Sequence, residues 1–105
     1  MANMLELNDS NFYETIKDGV TLVDFWAPWC APCRIQGPIM DGVAKNANDK
    51  VKVAKVNVDD APRVAQDLKI RAIPTVVLFK NGKPVQEFVG VTQENTLKGA
   101  VDKAQ

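Results

Sequence analysis

The decisive stretch of this sequence is Trp26-Ala27-Pro28-Trp29-Cys30-Ala31-Pro32-Cys33. It contains both cysteines of the 105-residue chain, separated by an alanine and a proline and preceded by a tryptophan. Two thiols at this spacing can close into a disulfide and open again. In a small chain with no other cysteine, such a pair is more typical of redox chemistry than of a scaffold held by disulfides.

A strand and a helix are predicted on either side of this stretch. Val20 to Trp26 is a nearly continuous apolar run, which is typical of a strand covered on both faces. After the cysteines, apolar residues at helical spacing predict a helix to about residue 47, and Pro38 is expected to kink it. The residues of this apolar stripe are Ile35, Ile39, Met40 and Val43.

The rest of the chain predicts further strands and helices in the order βαβαβαββα. The strands are Met4 to Leu7, Val51 to Val58, Thr75 to Phe79 and Val85 to Val89, and the helices begin at the candidate N-caps Asn8, Asp60 and Thr92. Asn81-Gly82 indicates a hairpin, and Pro84 favours an edge position for the last strand. The order predicts one α/β domain, residues 1–105, with a central mixed five-stranded sheet flanked by four helices.

Composition excludes several classes of function. Thirteen basic residues balance thirteen acidic ones, so we expect neither a nucleic-acid partner nor a membrane surface. No apolar run approaches the roughly 18 residues that span a bilayer, and the first residues lack the features of a signal peptide, which predicts a cytoplasmic protein. The chain has no histidine, which rules out Cys–His and Ser–His pairs, and we expect no metal site.

The junction of strand and helix explains how the cysteines could react without a histidine. Cys30 lies at or near the helix N-terminus, where backbone N–H groups and the helix dipole favour a thiolate. Cys33 follows one turn later on the same face, and Pro32 fits the first turn because its missing N–H costs nothing there.

Three other interpretations of the cysteine pair remain open. A purely stabilising disulfide closes a loop of about four residues and contributes roughly 2 kcal/mol, which a domain of this size hardly needs. Two buried, inert thiols would fit poorly with neighbours that suggest a surface turn. A metal bound by four cysteines of two chains is the third alternative.

The sequence resembles the bacterial thioredoxins over essentially its whole length. The matching segments are Val23 to Cys30 with Pro32-Cys33, Val53 to Asp59, Ile73-Pro74-Thr75, Leu78 to Gly82, and Gly90. The resemblance implies the thioredoxin fold and a protein disulfide reductase that cycles between a Cys30/Cys33 dithiol and a disulfide. It implies no bound cofactor, electrons from NADPH through thioredoxin reductase, disulfide-containing targets, a monomer, and roles in electron transport and cell redox homeostasis.

The resemblance also implies roles for four residues of the reaction. Cys30 would be the exposed attacking thiolate, Cys33 the buried resolving thiol, Asp24 the carboxyl that exchanges a proton with Cys33, and Lys55 its neighbour. The sequence supports Asp24, because it interrupts an apolar strand and burial raises the pKa of a carboxyl. The alternatives are an aspartate at a strand end in water and an ordinary solvated lysine.

A docking surface for targets follows from the same resemblance. Pro74 resembles the cis-proline that faces the active site, which would expose the backbone of Ile73 for strand-like pairing with an extended target. The implied docking surface is flat and mostly apolar, and consists of Trp29, Ala72, Ile73, Pro74, Gly90 and Val91. For Val91 an ordinary strand-end position is an equal alternative, and Trp26 is expected to pack beneath the site.

The sequence departs from the family beside the sulfurs. Most members carry glycine where this chain has Ala31, so we expect a stiffer turn and a shifted reduction potential, since about 30 mV corresponds to ~1.4 kcal/mol. Gln36 and Gly37 replace residues that are often apolar. Two alternative functions are an oxidase or isomerase of the same fold, which often has histidine between the cysteines, and a binding subunit that uses the same apolar surface.

Overall fold

This computed structural model describes residues 4–105, which form five strands and four helices. The strands are β1 (Met4–Leu7), β2 (Val20–Trp26), β3 (Val51–Asn57), β4 (Thr75–Lys80) and β5 (Lys83–Val89). The helices are α1 (Phe12–Ile16), α2 (Ala31–Asn46), α3 (Pro62–Asp67) and α4 (Glu94–Ala104). The predicted order of elements is confirmed.

The strands form one mixed sheet in the order β1-β3-β2-β4-β5. β2 lies at its centre, pairing parallel with β3 and antiparallel with β4. The first three strands are parallel and the β4–β5 hairpin is antiparallel, as predicted. β5 is an edge strand, which agrees with Pro84, and both Asn81 and Gly82 have the positive φ that a tight hairpin turn needs.

Helices cover both faces of the sheet, each over its own apolar cluster. On one face, α1 and α3 pack on Val23, Phe25, Val56 and Phe79. On the other, α2 and α4 pack on Leu22, Val53, Val76 and Leu78. Because β2 contributes to both clusters, its residues are buried from Val20 to Phe25, and the motif that follows β2 is held by the most enclosed strand.

The caps predicted for α1 and α3 are wrong. Helix α1 begins after Asn11, and the side chain of Asn8 instead accepts hydrogen bonds within the preceding turn. Helix α3 begins after Ala61 rather than at Asp60. The carboxylate that accepts its first N–H groups is Asp9, which bonds the backbone of residues 63 and 64 at 3.3 and 2.9 Å. A carboxylate distant in sequence thus does what a local cap was expected to do.

Helices α2 and α4 differ from expectation at particular side chains. Helix α4 begins after Gln93, not at Thr92. In α2 the buried face consists of Cys33, Gln36, Met40 and Val43, whereas Ile35 is exposed. The helix continues through Pro38 without a break, and the kink stays a prediction.

Candidate active site

The two cysteines form a disulfide at the start of α2. Cys30 is the N-cap residue, its Cα lies 5.3 Å from that of Cys33, and its Sγ accepts a hydrogen bond of 3.2 Å from the Cys33 backbone N–H. Pro32 lies in the first turn, where it leaves no helical hydrogen bond unmade. The sulfur of Cys30 therefore faces the N–H groups of a helix N-terminus, an environment that stabilises a thiolate once the disulfide opens.

Both cysteines are buried in this oxidised state. Cys30 is 4% exposed and Cys33 is 5% exposed, so the expectation of an exposed Cys30 is wrong for the disulfide. The cause is a small apolar cluster in which Ala27 and the two cysteines are packed by Trp26, Val58 and Ile73. Residue exposure alone therefore does not distinguish an attacking from a resolving sulfur.

The segment at Ile73-Pro74 reaches the cysteines from across the fold. The peptide bond between these residues is cis, as the resemblance implied. The carbonyl oxygen of Ile73 lies 3.7 Å from Cys30 Sγ, and the carbonyl of Pro74 accepts a 2.8 Å hydrogen bond from the Gly90 N–H. Gly90 has a φ of +88°, which favours glycine at that position. Three segments that are distant in sequence thus meet at the site: Cys30 contacts Ile73, and Pro74 contacts Gly90.

The residues predicted to form the docking surface differ in exposure. Trp29 is 68% exposed and its indole N–H donates to Asp59 at 3.1 Å, while Ala72 and Val91 are exposed and Pro74 is buried. Two exposed apolar residues outside the predicted set adjoin it in sequence: Ile35 in α2 and Val89 before Gly90.

Asp24 is the one buried carboxyl among the described residues. It is 2% exposed, and its Oδ1 has no hydrogen-bond partner within residues 4–105. Burial raises its pKa from 3.8 to about 7, and the positive charge of Lys55 opposes that rise. A cavity of about 300 Å³ is lined by Asp24, Cys33 and Lys55 among others, so the carboxyl and the second sulfur share one space. The alternative of an aspartate in water is wrong.

Lys55 lies directly across from Asp24 on β3. Its Nζ is 3.3 Å from the Glu6 carboxylate and 5.6 Å from the centre of the Trp26 ring. Its charge is therefore shared among three neighbours rather than committed to Asp24. Trp26 is half-buried against the cysteine cluster, as expected for a packing residue. Its indole N–H is buried and finds no partner in the described part of the chain.

Gln36 is a residue of the site that sequence reasoning noted but did not place. Its side chain is fully buried, its Nε2 donates to the Thr92 carbonyl at 3.0 Å, and its Oε1 accepts from the Thr92 N–H at 2.7 Å. The available signal was spacing, because position 36 follows Cys33 by three residues and precedes Met40 by four, on one helical face. Apolarity alone selected Ile35 instead.

Membrane insertion finds no support in the helices. Between residues 4 and 105, every helix is too short or too polar to cross a bilayer. The longest, α2, has 16 residues.

Comparison with known proteins gives one consistent result. The Thioredoxin family model matches residues 3–103. Thioredoxin 1 of Nostoc sp. is 42% identical over 105 residues, covering 98% of both chains. A chloroplastic M-type thioredoxin of Spinacia oleracea is 40% identical over 100 residues, covering 93% of this chain and 55% of its own. The solved structure of a mutant thioredoxin from Halobacterium salinarum superposes with a TM-score of 0.88 at 32% identity, covering 97% and 90% of the two chains.

Proposed function

This chain belongs to the thioredoxin family, and on that premise we propose that Cys30 is the thiol that attacks the disulfides of its target proteins. Membership makes the protein a thiol-disulfide oxidoreductase that acts as a protein disulfide reductase. The observation that carries the assignment to Cys30 is its N-cap position, where its sulfur accepts a backbone N–H of α2. A thiolate is the nucleophile of disulfide exchange, and this position stabilises one.

The reaction consists of two exchanges. The Cys30 thiolate attacks one sulfur of the target disulfide, forming a mixed disulfide and releasing the other target sulfur as a thiolate. Cys33 then loses its proton and attacks the Cys30 sulfur, which releases the second target thiolate and forms the Cys30–Cys33 disulfide. Two electrons pass to the target, and the two released thiolates take up protons.

Asp24 is the proposed acceptor of the Cys33 proton. A carboxyl with a pKa near 7 can take and return a proton at neutral pH, and Asp24 shares its cavity with Cys33. Lys55 is a positioning residue in this scheme, because its charge limits how far burial raises the Asp24 pKa.

Targets are proposed to bind as extended chains on the docking surface. The backbone of Ile73 beside Cys30 offers pairing groups to a strand-like segment, and the apolar residues around it accept side chains without requiring one sequence. This arrangement suits a reductase with several targets.

The supply of electrons and the location are further proposals. The oxidised protein is reduced by thioredoxin reductase with electrons from NADPH, which places it in electron transport and cell redox homeostasis. It acts as a monomer in the cytoplasm, with no bound cofactor. The M-type relative of Spinacia oleracea is chloroplastic, so cell fractionation should test the cytoplasmic location against an organelle.

Reduction of insulin by dithiothreitol tests the roles of the two sulfurs. We expect Cys30→Ser to abolish catalysis. Mixed with insulin alone, reduced Cys33→Ser should still attack and should accumulate a mixed disulfide, visible as an added mass that is lost when dithiothreitol is added. The double serine variant is the control for capture without chemistry. Activity in Cys30→Ser would assign the attack to another group.

A further inference from the structure

We propose that Gln36 is a positioning residue that holds the segment Gly90 to Thr92 and so sets the affinity for protein targets. This inference rests on the docking surface proposed above, to which Gly90 and Val91 belong. It goes beyond that surface by naming the side chain that fixes the segment Gly90 to Thr92. The Gln36 side chain contacts no target in this scheme and acts through the backbone of Thr92.

Both polar atoms of the Gln36 amide bond to one residue. The amide donates to the carbonyl and accepts from the N–H of Thr92, at 3.0 and 2.7 Å. This is the pair of bonds that a neighbouring strand would make. A buried amide is costly unless both of its polar atoms are bonded, so the bridge is strongly favoured over a free Gln36 side chain.

The segment that Gln36 holds lies outside regular structure. Residues 90–92 fall between the end of β5 and the N-cap of α4, so they belong to no strand or helix. Gly90 donates to the Pro74 carbonyl at 2.8 Å, and the Thr92 hydroxyl donates to the Gly90 carbonyl at 3.1 Å. Val91 is 39% exposed. It lies between Gly90, which is bonded to Pro74, and Thr92, which is bonded to Gln36.

A series of contacts connects Gln36 with the sulfur of Cys30. Helix α2 carries Cys33 and Gln36 on one buried face, three residues apart. From Gln36 the contacts run through Thr92 and Gly90 to the Pro74 carbonyl, and the adjoining Ile73 carbonyl lies 3.7 Å from Cys30 Sγ. Helix α2 therefore holds both Cys30, which is its N-cap, and the segment that contains Val91, through Gln36.

Removing the two hydrogen bonds between Gln36 and Thr92 should weaken the binding of targets more than it slows disulfide exchange. A released segment occupies its binding-competent position only part of the time, and the apparent affinity falls by that fraction. Two net hydrogen bonds are worth enough to lower the fraction to about a tenth. We therefore expect KM for a protein target to rise about tenfold, with kcat changed less than about twofold.

The test uses Gln36→Met, which keeps the length of the side chain and removes both hydrogen bonds. KM and kcat are measured with insulin, and the rate with the small aromatic disulfide dithiobis(nitrobenzoate), which has no peptide backbone to pair with the docking surface. We expect the insulin KM to rise and the rate with the small disulfide to stay within about twofold. Asn46→Leu is the matched control, since Asn46 also donates from α2 to Glu94 but at the far end of the helix.

A second variant supplies a readout that a purely structural role would not move. In Gln36→Glu a neutral carboxyl can make both bonds to Thr92, whereas the ionised form can only accept. Its insulin KM, relative to the unaltered protein, should therefore rise with pH. This variant also keeps the test informative if Gln36→Met fails to fold.

Two outcomes would overturn the inference. An unchanged insulin KM in Gln36→Met with only a lower Tm would make Gln36 structural. Equal losses with insulin and with the small disulfide would place its effect on the cysteines. Val91→Ser separates the two proposals: if it raises the insulin KM and Gln36→Met does not, only the role of Gln36 fails, and if neither variant raises KM, the place of Val91 in the docking surface fails as well.

Discussion

Asp24, the proposed acceptor of the Cys33 proton, also makes the stability of the fold depend on pH. Its pKa is about 7 in the folded chain, against an ordinary value of 3.8, so the folded state holds this proton more tightly than the unfolded state. The stability that the protonated group provides is complete below about pH 4 and is lost as pH rises through about 7. In Asp24→Asn that loss is absent. We expect the variant to gain roughly 3–4 kcal/mol on the parent between pH 4 and pH 8.

Urea unfolding of both proteins across this pH range measures the gap. Asp102→Asn, which removes an exposed carboxyl on α4, is the matched control for the loss of one charge. Parallel stability curves for Asp24→Asn and the parent would show that the carboxyl is not held protonated by the fold. The same variant should slow attack by Cys33 near neutral pH.

Ala31 is exposed in the first turn of α2, beside both sulfurs. Glycine gains more backbone freedom than alanine when the disulfide opens, which favours the dithiol. We expect Ala31→Gly to make the reduction potential less negative by about 10–20 mV, equivalent to ~0.5–1 kcal/mol. Equilibration with glutathione measures the potential. A more negative value would contradict the entropic explanation.

At the scale of elements, two helical glycines have opposite surroundings. Gly99 in α4 is exposed, and a Cβ there would meet nothing within 4 Å. Gly99→Ala should therefore raise the free energy of unfolding by about 0.5–1 kcal/mol, the helix propensity difference. Urea denaturation checks this, and an unchanged midpoint would indicate that α4 is frayed at that position.

Gly42 in α2 is the matched comparison. A Cβ at this position would overlap the Glu94 carboxylate, which accepts a 3.2 Å hydrogen bond from Asn46. The carboxylate must move and give up that bond, so the loss offsets the gain in helix propensity. We expect Gly42→Ala to change stability by less than about 0.5 kcal/mol. A gain equal to that of Gly99→Ala would mean that the Asn46–Glu94 bond contributes nothing.

Element type and order follow from local pattern, whereas element starts do not. Apolar runs and the Asn81-Gly82 turn are local signals, and the strands they predict are present. The start of α3 depends on Asp9, more than fifty residues earlier, and no periodicity reveals such a partner. For the site, Cys30, Cys33 and the burial of Asp24 could be inferred from neighbours in sequence. Contacts of Ile73 and Thr92 could not, because they span 43 and 56 residues.

At the scale of the whole molecule, the sheet joins two apolar clusters into one unit. Ile16 belongs to the cluster under α1 and α3, and Leu97 to the cluster under α2 and α4. Both are almost fully buried, so Ile16→Ala and Leu97→Ala should each cost about 2–5 kcal/mol. Because β2 contributes to both clusters, we expect a single cooperative transition in each variant.

Circular dichroism and tryptophan fluorescence, followed in the same urea series, test that cooperativity. Coincident curves are expected, with lower midpoints and an unchanged slope. Separate transitions in either variant would mean that the two faces of the sheet unfold independently.

The central place of β2 also has a consequence for synthesis on the ribosome. Both neighbours of β2, β3 and β4, are translated after it, and Thr92 follows Cys33 by 59 residues. At about 5–20 residues per second, the two thiols precede the completed surface by roughly 3–12 s. During that interval a nascent chain carries both cysteines but lacks Thr92, and for the first 40 residues after Cys33 it lacks Ile73 as well. If targets bind at the proposed docking surface, selectivity for them is acquired late in translation, after the reactive sulfurs have already been made.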